Sequence, residues 1–146
     1  MKLTVLLADA AEEANGKVSA LGLGWTVTAT PTPPMVVILL LDIGWDETDR
    51  DIDLHLELVD ADGRPVMVPG PYGEQPLTVD ARAKAGRPPA ALPGTEIRMP
   101  MTISIAPGLQ LEPGQRYEWR ASLDGQHNAA WRQTFVIRPA VTEPPA

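Results

Sequence analysis

The chain has no cysteine, which removes disulfides, thiolate metal sites and cysteine nucleophiles and fits a reducing compartment. Long apolar runs are missing too. The longest, Met35–Leu41, is about a third of the ~20 residues a membrane-spanning helix needs. The opening MKLTVLLADAAEEANG has one lysine, and Asp9 interrupts its apolar run before signal-peptide length, so a cytoplasmic protein is expected. Basic residues are the minority, 12 Lys and Arg against 19 Asp and Glu, for a net charge of −7. That field repels nucleic-acid phosphate and anionic lipid, so neither nucleic acid nor a membrane is expected as a partner.

Proline and glycine are abundant instead: 16 and 12 residues in a chain of 146. Punctuation this dense disfavours long helices and suits short strands joined by turns. The length fits one domain able to bury a core without metal or disulfide staples.

Asp51–Val68 (DIDLHLELVDADGRPVMV) is the most legible stretch. Ile52, Leu54, Leu56 and Leu58 alternate with Asp51, Asp53, His55 and Glu57, which predicts a strand with one face on a core and an acidic face in water. Asp60-Ala61-Asp62-Gly63 then favours a reversal into a returning strand, Arg64–Val68. A second hairpin is expected from Arg116–Leu123 and Trp131–Arg138 around Asp124-Gly125, with Trp119 and Trp131 in phase with the buried faces. Met35–Ile43 is apolar at odd and even positions alike, the pattern of a strand covered on both faces.

The other segments are read as follows. Leu3, Val5 and Leu7 mark a first strand, Ala10–Ala14 a helical turn, and Asn15-Gly16 a reversal into Lys17–Thr30 running back beside the first strand, with Gly22 and Gly24 at a bulge or close approach. Within the Pro- and Gly-rich loop Pro69–Glu96, the octamer Pro76–Ala83 is an edge strand, since proline and charge are usual guards of an edge. Ile97–Ile105 alternates again. About eight to ten short strands result, with no βα alternation, so the expected fold is all-β: a single antiparallel β-sandwich, immunoglobulin-like or jelly-roll-like, over residues 1–138, with 139–146 a flexible tail.

LLADAAEEANGKVSALGLGW, VDADGRPV, GRPPAALPGTE and LEPGQRYEWRASLDGQ with a closing Phe-Val-Ile strand resemble a family of small stand-alone bacterial proteins, mainly actinobacterial, without an assigned function. The resemblance covers nearly the whole chain. It implies a compact β-sandwich in a cytoplasmic bacterial protein and brings no catalytic or binding residue with it.

Candidate chemistry is sparse. Asp46, Asp49 and Asp51, with Asp42, Glu47 and Asp53 nearby, are hard oxygen ligands that could converge on calcium at one end of a sandwich. EF-hand spacing fails, because Leu54 stands where the loop requires Gly and Asp60 where it requires Glu; a solvated acidic face is the plainer reading. His55 and His127 lack any H-E-x-x-H or G-x-S-x-G context and read as surface histidines. Trp25 and Trp45 at strand ends and Tyr72 in a loop are the rings available to stack on a ligand such as a sugar. Arg82, Lys84 and Arg87 oppose the overall acidity and, with Val79 on the edge strand, mark a surface that could meet an acidic patch on another copy.

No nucleophile–base pair or phosphate-cradling glycine loop can be assembled, and no cofactor is implied. The expectation is a non-enzymatic interaction or structural module that self-associates or binds a protein partner through its edge strand and the 69–96 loop. A ligand-binding sandwich, for carbohydrate or calcium, is the alternative.

Overall fold

A computed structural model describes residues 1–141. Among them are twelve strands and no α-helix. In chain order these are β1 (Lys2–Ala8), β2 (Ala10–Ala14), β3 (Lys17–Leu21), β4 (Val27–Thr28), β5 (Met35–Ile43), β6 (Asp51–Asp60), β7 (Met67–Gly70), β8 (Gly73–Pro76), β9 (Thr78–Lys84), β10 (Ile97–Ile105), β11 (Arg116–Leu123) and β12 (Gln126–Ile137), with one 3₁₀ turn at Trp45–Glu47. They form a three-stranded sheet, β1-β5-β10, a five-stranded sheet, β4-β12-β11-β6-β9, and two-stranded ribbons β2–β3 and β7–β8. Pairing is antiparallel except between β12 and β4.

The composition of β5 follows from its place. Met35, Val37, Leu39, Leu41 and Ile43 enter the main core with Ile52, Leu54, Leu56 and Leu58 of β6, Trp119 of β11 and Phe135 of β12, so the inner faces of both large sheets feed one cluster. Val36 and Ile38 point the other way and are also buried, beneath Ala11, Val18 and Ala20 of the β2–β3 ribbon. Each fully covered aliphatic side chain contributes about 1.5–3 kcal/mol of hydrophobic stabilisation. A central strand with two covered faces has no position for a polar residue until Asp42.

The ribbon corrects the reading of the N-terminal segment. Ala10–Ala14 is strand, not a helical turn, because Asn15 (φ 54°) and Gly16 (φ 74°) close a two-residue hairpin that pairs it with β3. Five residues of helix propensity are too little to outweigh that pairing and the burial it allows. Nor does Lys17–Thr30 run beside β1. Its strand stops at Leu21, and Gly22 (φ 65°) packs so closely on Asp9 that a Cβ there would collide with the carboxylate. The chain then crosses to the five-stranded sheet, where Val27–Thr28 pairs with β12.

The Asp60 turn forms as read. Asp60 Oδ1 accepts from the amides of Asp62 and Arg64, both at 2.9 Å. The returning strand departs from expectation: it meets β6 through the Asp60 amide on the Arg64 carbonyl, the Val59–Pro65 bridge and the Val66 amide on the Leu58 carbonyl, then leaves as the β7–β8 ribbon. Pro65 and Pro69 lack amide donors and cannot extend a ladder, so β9 takes that edge of β6. The expected loop 69–96 therefore holds most of the ribbon and all of β9, leaving residues 71–72, 77 and 85–96 outside strands. At the second hairpin β12 starts at Gln126, earlier than Trp131, with a bulge between Arg120 and Ser122 absorbing the extra residues. Residues 142–146 of the expected tail lie outside the described residues.

Ile38→Ala tests whether the ribbon is an integral cover of β5. The expected cost is about 2–4 kcal/mol in denaturant unfolding, with faster amide exchange concentrated in β2 and β3. A cost below about 1 kcal/mol would mean the outer face of β5 contributes little.

Candidate interaction edge

β9 is the outer strand of the five-stranded sheet. Its backbone orientation follows from its neighbours. The Asp53 amide donates to Asp124 Oδ1 (2.9 Å) and the Asp53 carbonyl accepts from the Asp124 amide (2.8 Å), so Asp53 faces β11. The Leu58 amide donates to the Leu77 carbonyl (3.1 Å), so the even residues of β6 face β9. With Leu54 in register with Ala81 and Leu56 with Val79, Val79, Ala81 and Ala83 turn their backbone groups to β6. Thr78, Asp80, Arg82 and Lys84 present theirs outward.

The side chains alternate as well. Val79, Ala81 and Ala83 are half-buried, while Thr78, Asp80, Arg82 and Lys84 are exposed. Arg82 Nε donates to Asp53 Oδ1 at 2.9 Å, and His55 Nδ1 lies 2.7 Å from Asp80 Oδ1. The remaining edges are less open. β10 carries Pro100, β4 has two residues, and the Leu7 carbonyl of β1 already accepts from the Gly24 amide at 2.7 Å.

The aromatic candidates do not converge. Trp25 is half-buried, edge-on to Phe135 with ring centroids 5.6 Å apart, and its Nε1 is sealed without an acceptor. Trp45 carries the Arg87 guanidinium 4.1 Å above its ring, and Arg87 also donates to the Trp45 carbonyl and to Thr48 Oγ1, each at 2.7 Å. That cation–π contact occupies a face a ligand would need. Tyr72 is fully exposed at the tip of the β7–β8 ribbon. Trp45 precedes the Asp51 end of β6 and Tyr72 lies beyond its Asp60 end, so strand length separates them.

The carboxylates are dispersed likewise. Asp46 is exposed within the 3₁₀ turn, the Asp49 amide bonds the Ala85 carbonyl, Asp51 stands opposite Lys84, and Asp53 is paired with Arg82. Among the described residues no three His, Asp or Glu side chains gather as a metal-holding group. Arg87 is committed to Trp45, leaving Arg82 and Lys84 as the basic residues on β9.

Two carboxylates matter electrostatically that the sequence reading treated as turn or flank residues. Asp124 accepts the Asp53 amide and an Arg50 Nη1 contact of 2.7 Å, and these hold its carboxyl below the usual range. Asp42 is held low by two hydrogen bonds from Arg98, at 2.7 and 2.9 Å. No local pattern could announce either pair, since the partners are 74 and 56 residues apart.

A family model described as "Family of unknown function (DUF6941)" matches residues 3–134. No curated protein and no solved structure matches the chain.

Because both carboxyls are held below the unfolded value of about 3.9, their stabilisation is full above it and lost as pH falls through the folded values. Melting temperature should drop as pH falls below about 4, and the Asp42→Asn, Asp124→Asn double variant should show a shallower acid decline from a lower plateau. Parallel curves for variant and parent would show that these pairs do not set the acid limb.

Proposed function

The chain belongs to the DUF6941 family of unknown function, and from that premise we propose that it is a non-enzymatic interaction module that pairs with a second copy of itself along β9. The observation that carries this is the charge order on a free edge. In an antiparallel β9–β9 pair centred on Ala81, Asp80 of each copy faces Arg82 of the other, Thr78 faces Lys84, and Val79 faces Ala83. The outward backbone groups belong to Thr78, Asp80, Arg82 and Lys84, the residues that must exchange hydrogen bonds in that register. Asp80 and Arg82 are 77% and 67% exposed at the side chain and keep free surface beyond their contacts within the chain.

Edge charges normally discourage indiscriminate strand addition. Here the same charges favour one partner in one register, and a two-fold contact closes on itself. Two large sheets with a shared core support a β-sandwich as the scaffold, and the cysteine-free composition supports a reducing compartment such as the bacterial cytoplasm. A strand-edge contact covers a narrow strip, so the association is weak and concentration-dependent.

Charge reversal separates this reading from nonspecific association. Asp80→Arg turns two facing opposite-charge pairs, each worth ~0.2–1 kcal/mol, into like-charge pairs, and should raise the dimer Kd about tenfold or more in sedimentation equilibrium. Adding Arg82→Asp restores complementarity and should restore the dimer. A monomeric parent, or a dimer indifferent to Asp80→Arg, would contradict the proposal.

A further inference from the structure

The outer face of the five-stranded sheet carries a recess of about 240 Å³ along the first half of β11. Its lining follows from the register. Glu118 stands opposite Thr134, and Arg120 opposite Arg132. Tyr117, Trp119 and Ala121 point into the core, and successive residues of a strand alternate between faces. Arg116, Glu118, Arg120, Arg132 and Thr134 therefore share the outer surface, and the Asp60 turn closes one end of the recess.

The sign of this recess is opposite to that of the chain. The whole sequence has 12 basic residues against 19 acidic, yet here three guanidiniums meet two carboxylates, Glu118 and Asp60. Both carboxylates are committed. Glu118, only 13% exposed at the side chain, accepts from Arg120 Nε at 2.9 Å, with Arg120 Nη2 also at 2.9 Å and Arg132 Nη1 at 3.5 Å. Asp60 Oδ1 accepts two amides of its own turn. Glu57, in register with Arg120, does not line the recess and lies 4.0 Å from His55 Nε2.

A guanidinium has five N–H donors, so Arg120 and Arg132 keep donors beyond those turned to Glu118. Among the described residues no carboxylate pairs with the exposed Arg116. Glu118 fixes two guanidiniums in advance, which lowers the ordering cost of gripping an anion.

We propose that this recess binds a small phosphate monoester, gripped by Arg116, Arg120 and Arg132 with the Thr134 hydroxyl beside them. Charge and size select the ligand. A phosphoryl group brings three acceptor oxygens and a charge of about −2, enough to engage three guanidiniums in the presence of Glu118; a lone carboxylate brings two oxygens and one charge. The planar fork of arginine matches phosphate in a bidentate contact. The net charge of −7 disfavours a polyanion. The recess is smaller than the ~300–1,000 Å³ of pockets for drug-sized ligands, so the body attached to the phosphate is small. β6 separates β11 from β9, and the site does not rest on β9 pairing.

Titration of the isotope-labelled protein with glycerol 3-phosphate tests this, followed by amide and arginine Nε–H shifts at about pH 7.5, where the monoester is a dianion. Acetate at matched ionic strength is the control. The expected result is saturable shifts confined to β11, β12 and the Asp60 turn, with acetate binding about tenfold or more weaker. Arg116→Gln and Arg132→Gln, both exposed changes whose folding is checked by melting temperature, should each raise the Kd about tenfold or more. Added sodium chloride should raise it as well. No saturable shifts, shifts spread over the whole surface, equal affinity for acetate, or a Kd unchanged by either substitution would overturn the site.

Discussion

The double burial of β5 is the constraint on which the molecule depends. A nine-residue strand with only one polar side chain needs neighbours on both edges and cover on both faces. β1 and β10 supply the edges, the five-stranded sheet covers one face, and the β2–β3 ribbon covers the other. Removing any cover would expose aliphatic surface that a small domain has little stability to spare for.

That demand directs where the chain keeps open hydrogen-bonding groups. With β5 enclosed, unpaired backbone collects on the outer strands, and most of these are short, interrupted by proline or met by a neighbouring amide. β9 is the long exception. Its inward alanines and valine hold it to β6, while its outward residues carry a charge sequence that reads as its own complement when reversed about Ala81. The surface beside it is built from the same alternation. The polar face of β6, with one side taken by β9 and the other by β11, brings His55 between Asp80 and Ser122.

Much of this was legible in the residues. The alternation of Ile52 to Leu58 and the two-sided apolarity of Met35–Ile43 specify burial directly, and Pro76–Ala83 was readable as an edge because proline and charge are usual guards of an edge. What escaped was decided by partners distant in sequence. Ala10–Ala14 carries a helical bias until β3 folds onto it. Arg64–Val68 reads as a strand, yet Pro65 within it and Pro69 just after it yield the β6 edge to a segment that follows. The pairing of Arg87 with Trp45 spans 42 residues.

The central claim, that β9 offers alternate backbone groups to another β9, is tested most directly by amide exchange resolved along β9 at low and high protein concentration. The amides of Val79, Ala81 and Ala83 should be protected at every concentration, and those of Thr78, Asp80, Arg82 and Lys84 only as concentration rises. Rapid exchange at those four positions regardless of concentration would contradict strand pairing between copies.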